Sequence, residues 1–210
     1  MSTVAQAVSR PTAPLTPTRG VDDFSKSMCF LVPKTIAAAG GNRVVNVVML
    51  VLSLLLPPLH LALTRGPWTR RNVLRIFLIY AFVFDVGAVG FLFGFIPHIF
   101  FADQAAELIG WPKGSMFQFE VGLHDGAWGI LGFLCAFIGG GFWVATAVGW
   151  SFFMFGAAWG HVREIIAHGN YAPYNFFPAI TDTLIPLYLL GLLYAYWRNG
   201  GLEGKLRRET

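Results

Sequence analysis

Residues 117–132 read FQFEVGLHDGAWGILG, and this stretch decides the fold. It lies inside a long apolar run, yet it carries Glu120, His124 and Asp125. Glu120 and His124 are four apart, so on a helix they share one face. Gly122, Asp125, Gly129 and Gly132 recur at helical spacing on another face. One helix therefore offers a carboxylate–imidazole pair on one side and a smooth seam with a second acid on another. Ionisable groups in a bilayer are costly and turn toward protein or water. The segment is thus read as the central helix of a membrane bundle.

The composition around it agrees. Of 210 residues, 55% are hydrophobic and only 12% charged, which excludes an ordinary soluble domain. The 24 glycines suit close helix packing in lipid. A net charge of +4 gives no reason to expect nucleic acid, because the basic residues flank apolar runs, where they orient a membrane protein. Cys29 and Cys135 show neither metal-ligand spacing nor a disulfide pattern. Ser53 and Ser151 lack the context of a hydrolase nucleophile.

Outward from the central stretch, the expected fold is all-α: an integral membrane bundle of about five spans. Residues 1–41 read as a flexible, Pro- and Ser-containing tail, with an interfacial segment at 24–39. Residues 42–200 form the bundle, and 201–210 a basic tail. The first span is 44–63, which Pro57 and Pro58 should kink or end early. The second is 73–96, with Asp85 near its middle, Gly87, Gly90 and Gly94 at helical spacing, and Pro97 ending it. Asp85 is expected inside the bundle against those glycine faces. Residues 100–110 suggest a short amphipathic helix on the membrane surface between the second and third spans. The third span is 116–138, the fourth 142–161 with helical pattern continuing through His168, and the fifth 177–197.

This alternation brings one end of several spans to the same leaflet. Glu120, His124 and Asp125 begin the third, His161, Glu164 and His168 end the fourth, and Asp182 begins the fifth. All lie within roughly 15 Å of one surface at the rise of an α-helix. Glu120, His124, His161 and Asp182 are expected to converge in one polar pocket, with Asp125 beside them, Glu164 and His168 at its rim and residues 171–178 as a lid. Such donors could ligate a metal, with Glu120, His124, His161 and Glu164 as the set, although their spacing departs from the Glu-x-x-His pattern of bundle metal sites. Basic residues at 65–75 and in the C-terminal tail favour a cytoplasmic C-terminus.

The pieces IGWPKGSMFQFEVG, FWVAT, FGAAWGH and GNYAPYNFFPAITDTLIP resemble a family of small bacterial polytopic membrane proteins known only as a domain of unknown function, distantly similar to DoxX-like proteins. The resemblance covers roughly the last two-thirds of the chain. It implies a four- to five-helix bundle in a bacterial inner membrane, no established reaction, and recurrence of the positions of Glu120, His161, Asn170 and Asp182. Some DoxX-like relatives are linked to quinone-coupled sulfur chemistry, an analogy of fold alone. Three functions stay open: a site for a small ligand, quinone or metal; a non-catalytic subunit or assembly factor packing against membrane-protein partners or its own copies in the lipid bilayer; and proton-linked transport through Asp85 and Glu120. Nothing in the sequence fixes a catalysed reaction.

Overall fold

The computed structural model describes residues 45–202, so the tail at 1–41, its segment at 24–39 and residues 203–210 lie outside the described residues. The described chain is all-α, with six helices in order: α1 Val45–Thr64, α2 Arg70–Phe100, α3 Ala102–Ile109, α4 Met116–Leu134, α5 Gly141–His168 and α6 Pro173–Arg198. Four of them, α1, α2, α5 and α6, are long and apolar enough to cross a membrane. The expected third span, α4, is not among these four. Gln118, Glu120, His124, Asp125 and its glycines dilute its apolar character, although its 19 residues are nearly a bilayer's worth.

Prolines do less than the sequence suggests. α1 runs through Pro57 and Pro58 to Thr64. Neighbouring helices and hydroxyl side chains commonly make such breaks tolerable in a membrane. It stops where Arg65 takes a left-handed conformation (φ 51°) and the Gly66 amide donates to the Leu61 carbonyl. α2, capped by the Thr69 hydroxyl, widens into a π-helix over Phe82–Phe95 and returns to α geometry over Ile96–Phe100. Pro97, which has no N–H, falls next to that change of hydrogen-bond register and does not end the helix. α6 begins four residues before the expected span. Pro173 takes its first turn, a position where a missing N–H costs nothing, so most of the supposed 171–178 lid is helix.

The pairing of the helices follows from their glycines. α4 lies antiparallel on α2, and the two glycine rows face each other. A methyl added at Gly132 would meet the Gly87 amide nitrogen at 2.5 Å, one at Gly129 the Phe91 nitrogen at 2.6 Å, and one at Gly90 the Asp125 carbonyl oxygen at 2.8 Å. These are backbone-to-backbone contacts that only glycine permits. α5 packs chiefly on α6, and α4 touches α5 little. At the end where α4 turns into α5, the two pairs close over Phe82, Val86, Trp143, Trp150, Ile185 and Leu189. The Trp143 indole donates to the Cys135 carbonyl at 2.8 Å, which fixes that turn.

Asp85 is buried, at 1% exposure, but does not face the glycine rows. Its neighbours are the hydroxyls of Ser53 on α1 and Tyr188 on α6. Neither carboxyl oxygen is in hydrogen-bond geometry with a partner among the described residues.

Because the seam has no slack, Gly129→Ala and Gly132→Ala should each lower stability by about 1–3 kcal/mol, the usual cost of overpacking. Gly156→Ala, where an added methyl meets nothing, should cost nothing or stabilise slightly. Unfolding of the three variants in mild detergent checks this.

Candidate functional site

The site is built around His161, seven residues from the end of α5. Asn175, in the first turn of α6 and fully buried, donates its amide to the His161 carbonyl (3.2 Å) and the Asn170 carbonyl (2.9 Å). That orientation leaves the Asn175 Oδ1 facing His161 Nδ1 at 2.8 Å, so Nδ1 carries the proton. In the neutral ring the Nε2 lone pair then points toward Asp182, whose Oδ2 is 3.8 Å away. The other Asp182 oxygen accepts from the Thr181 hydroxyl at 3.3 Å, and Thr181 is reached in turn by Asn46 of α1 at 3.4 Å. Trp111 stacks on the imidazole, with ring centres 5.8 Å apart and planes 20° from parallel. Its indole nitrogen is out of solvent and has no acceptor among the described residues.

Asn170 holds the other side of this corner. It donates to the Ile109 carbonyl at 3.0 Å, and its Oδ1 accepts from the Ala172 amide, tying the α5–α6 turn to the end of α3. Gly110 there is left-handed (φ 81°), and an added methyl would meet the Asn170 side chain at 2.8 Å. On α3, Asp103 accepts from the Gly114 amide and Glu107 pairs with Lys113 at 2.7 Å. Glu107 holds the Lys113 ammonium above its ordinary pKa.

Between the α2–α4 and α5–α6 pairs, at the end away from the apolar core, lies a cavity of about 780 Å³. His161, Asp182, Asp125, His98, Thr181 and Asn46 supply much of its polar wall, and the rest is mainly aromatic or aliphatic. His98 is held by Gln118, itself buried at 2% exposure.

The expected set only partly assembles. His161 and Asp182 meet, and Asp125 joins them, close enough for its carboxyl to act electrostatically on that of Asp182. Glu120 does not join. It is exposed and makes no hydrogen bond or ion pair among the described residues. His124 turns toward α5 instead, stacking on Phe153 and accepting from the Trp128 indole at 3.0 Å, outside the cavity lining. The reason is the glycine seam. Pressing it onto α2 carries Asp125 inward and leaves the Glu120–His124 face for α5 and the exterior. Glu164 and His168 pair with each other at 3.1 Å on the exposed end of α5 and line none of the cavity. Among the described residues, no three His, Cys, Asp or Glu side chains are grouped to hold a metal ion, so Glu120, His124, His161 and Glu164 form no ligand set. Asn175, Gln118 and Trp111 were not singled out as site residues. The signal for Asn175 was present in the Ala-Pro that starts α6 two residues before it.

Four membrane-length helices in one chain define a multi-pass membrane protein. It belongs to the family of unknown function DUF6790, whose model matches residues 43–201. No curated protein and no solved structure matches the chain.

Asn175→Ala removes three hydrogen bonds at a buried position and leaves His161 without its orienting partner. It should cost about 2–3 kcal/mol. Asn199→Ala, which loses one exposed bond to the Ala195 carbonyl, should cost less than about 1 kcal/mol. Chemical or thermal unfolding of both variants measures the difference.

Proposed function

We propose that the protein binds one small, largely apolar molecule from the bilayer in the cavity between the two helix pairs, with the molecule's polar end at His161. The observation that carries this is the cavity's make-up: about 780 Å³, mainly apolar walls, and a hydrogen-bonded imidazole with a carboxyl beside it. Ligand sites have this size and this ratio of apolar wall to placed polar groups. Trp111 adds an indole N–H lacking an acceptor among the described residues, and a ligand carbonyl would satisfy it. A quinone has that shape and chemistry. A bound metal is not part of this reading, because the nominated donors stand apart.

In the same reading α4 crosses as a fifth span. Its seam follows α2 from His98 back to Gly87, so both helices occupy the same depth. α3 then lies at the interface, and the C-terminus is cytoplasmic by the distribution of basic residues. A bacterial inner membrane and a distant DoxX-like kinship belong to the proposal on the strength of the sequence resemblance. The bilayer solvates the outward Leu55, Leu63, Phe152 and Ile166. A proton relay from Asp85 to Glu120 finds less support, since neither residue lines the cavity. The reading as a non-catalytic subunit, alone or with copies or partners, rests on the α2–α4 seam, which is packing without chemistry. It expects no saturable ligand.

The test is tryptophan fluorescence of the purified full chain in mild detergent, titrated with a short-tailed benzoquinone. Trp111 and Trp150 line the cavity, so quenching should saturate at one molecule per chain. His161→Ala should weaken binding about tenfold, near 1.4 kcal/mol, as expected for a lost hydrogen bond to the ligand. Quenching that rises linearly without saturation, unchanged by His161→Ala, would contradict the proposal.

A further inference from the structure

The same cavity carries a sharper statement about its occupant, which rests on the cavity of the reading just given and makes a neutral quinone the weaker of its ligands. Two of its wall residues are carboxylic acids, Asp125 from α4 and Asp182 from α6, near enough to influence each other. Among the described residues, no Lys or Arg lines the cavity. His161 and His98 also line the cavity: His161 has its Nε2 3.8 Å from Asp182 and its protonated Nδ1 committed to Asn175, and His98 is held by Gln118. Asp125 makes no hydrogen bond or ion pair among the described residues. Lys113 is engaged by Glu107 outside the cavity.

Two acids in a largely apolar chamber hold negative charge only when a cation pairs with them, because buried charge is retained only when paired. The space is far too large for a bare ion, and no metal-ligand group is present among the described residues. The remaining wall is rich in ring faces: Phe93, Phe117, Trp150, Phe153, Tyr174 and Phe177. Aromatic faces attract organic cations through the ring quadrupole, and more strongly when water is excluded. Carboxyl groups plus ring faces, with no Lys or Arg beside them among the described residues, are the chemistry that recognises an alkyl- or aryl-substituted ammonium or similar onium group. We infer that this cavity selects lipophilic organic cations over neutral molecules of the same shape, with Asp125 and Asp182 as the counter-charges and the aromatic wall as the bed for the apolar substituents.

The test uses the full chain in mild detergent. Equilibrium binding of radiolabelled tetraphenylphosphonium is measured, with tetraphenylsilane, uncharged and of the same shape, as competitor. Binding should saturate at one cation per chain, and the silane should compete at least tenfold more weakly. Asp125→Asn and Asp182→Asn should each weaken cation binding tenfold or more, with thermal melting used to verify that the variants remain folded. Asp85→Asn, an acid outside the cavity, should leave cation affinity unchanged. If the silane competes as well as the cation, or if both cavity variants keep wild-type affinity, charge does not select the ligand and the inference fails. Saturable benzoquinone binding in the wild type would then still uphold the cavity itself. If the wild type binds neither the cation nor the benzoquinone, both readings fail.

Discussion

Backbone contact between α2 and α4 is the constraint on which the rest depends. Where Gly87 meets Gly132 and Gly90 meets Gly129, no side chain separates the two chains. In lipid there is no hydrophobic force to press helices together, so such close approach supplies the packing energy. It also fixes rotation. α4 cannot turn about its axis without driving a side chain into α2, and so Asp125 must look inward, while Glu120 and His124 must not. The π-helical stretch of α2 spans the contact, and its own three glycines make it the part of that helix with least side-chain bulk.

That commitment leaves α5 and α6 to pair with each other. The two pairs join through an apolar core at one end, where Trp143, Trp150 and Phe82 fill the space between them. At the other end they stand apart. Trp128 leans onto Gly149 and His124 onto Phe153, bridging the edge where α4 approaches α5. The cavity is what remains beyond those bridges. Three of its polar groups are each tied to a second residue: His161 by Asn175, His98 by Gln118, Asp182 by Thr181. Asp125 alone of the four has no such tether, and it comes from the helix that the seam locks.

Much of this was legible in the chain. The glycine rows at 87–94 and 122–132 marked two close-packing faces, though not that they pack on each other, and the burial of Asp85 followed from its place within an apolar span. Choosing the face of α4 was not legible. Glu120 and His124 looked like a functional pair because they are four apart, but pairing on a helix says nothing about which way it faces. A glycine seam that already contains Asp125 outranks it, because steric contact admits no alternative. Asn175 escaped notice because a Pro-rich aromatic stretch reads as loop, whereas Pro173 starts a helix. The widened register of α2 has no signal that hydrophobic periodicity can detect, since both faces of that stretch are apolar.

One arrangement underlies the site: α4 locked on α2, α5 on α6, and an acid-walled chamber between them. A cryo-electron-microscopy map of the full chain in lipid nanodiscs tests that arrangement most directly. The account expects Gly129 and Gly132 against the α2 backbone, Asp125 and Asp182 on facing walls of one open chamber, and His161 between Asn175 and Asp182. Helix α4 rotated so that Glu120 and His124 enter the bundle, or α4 and α5 closed together with no space between the pairs, would contradict it.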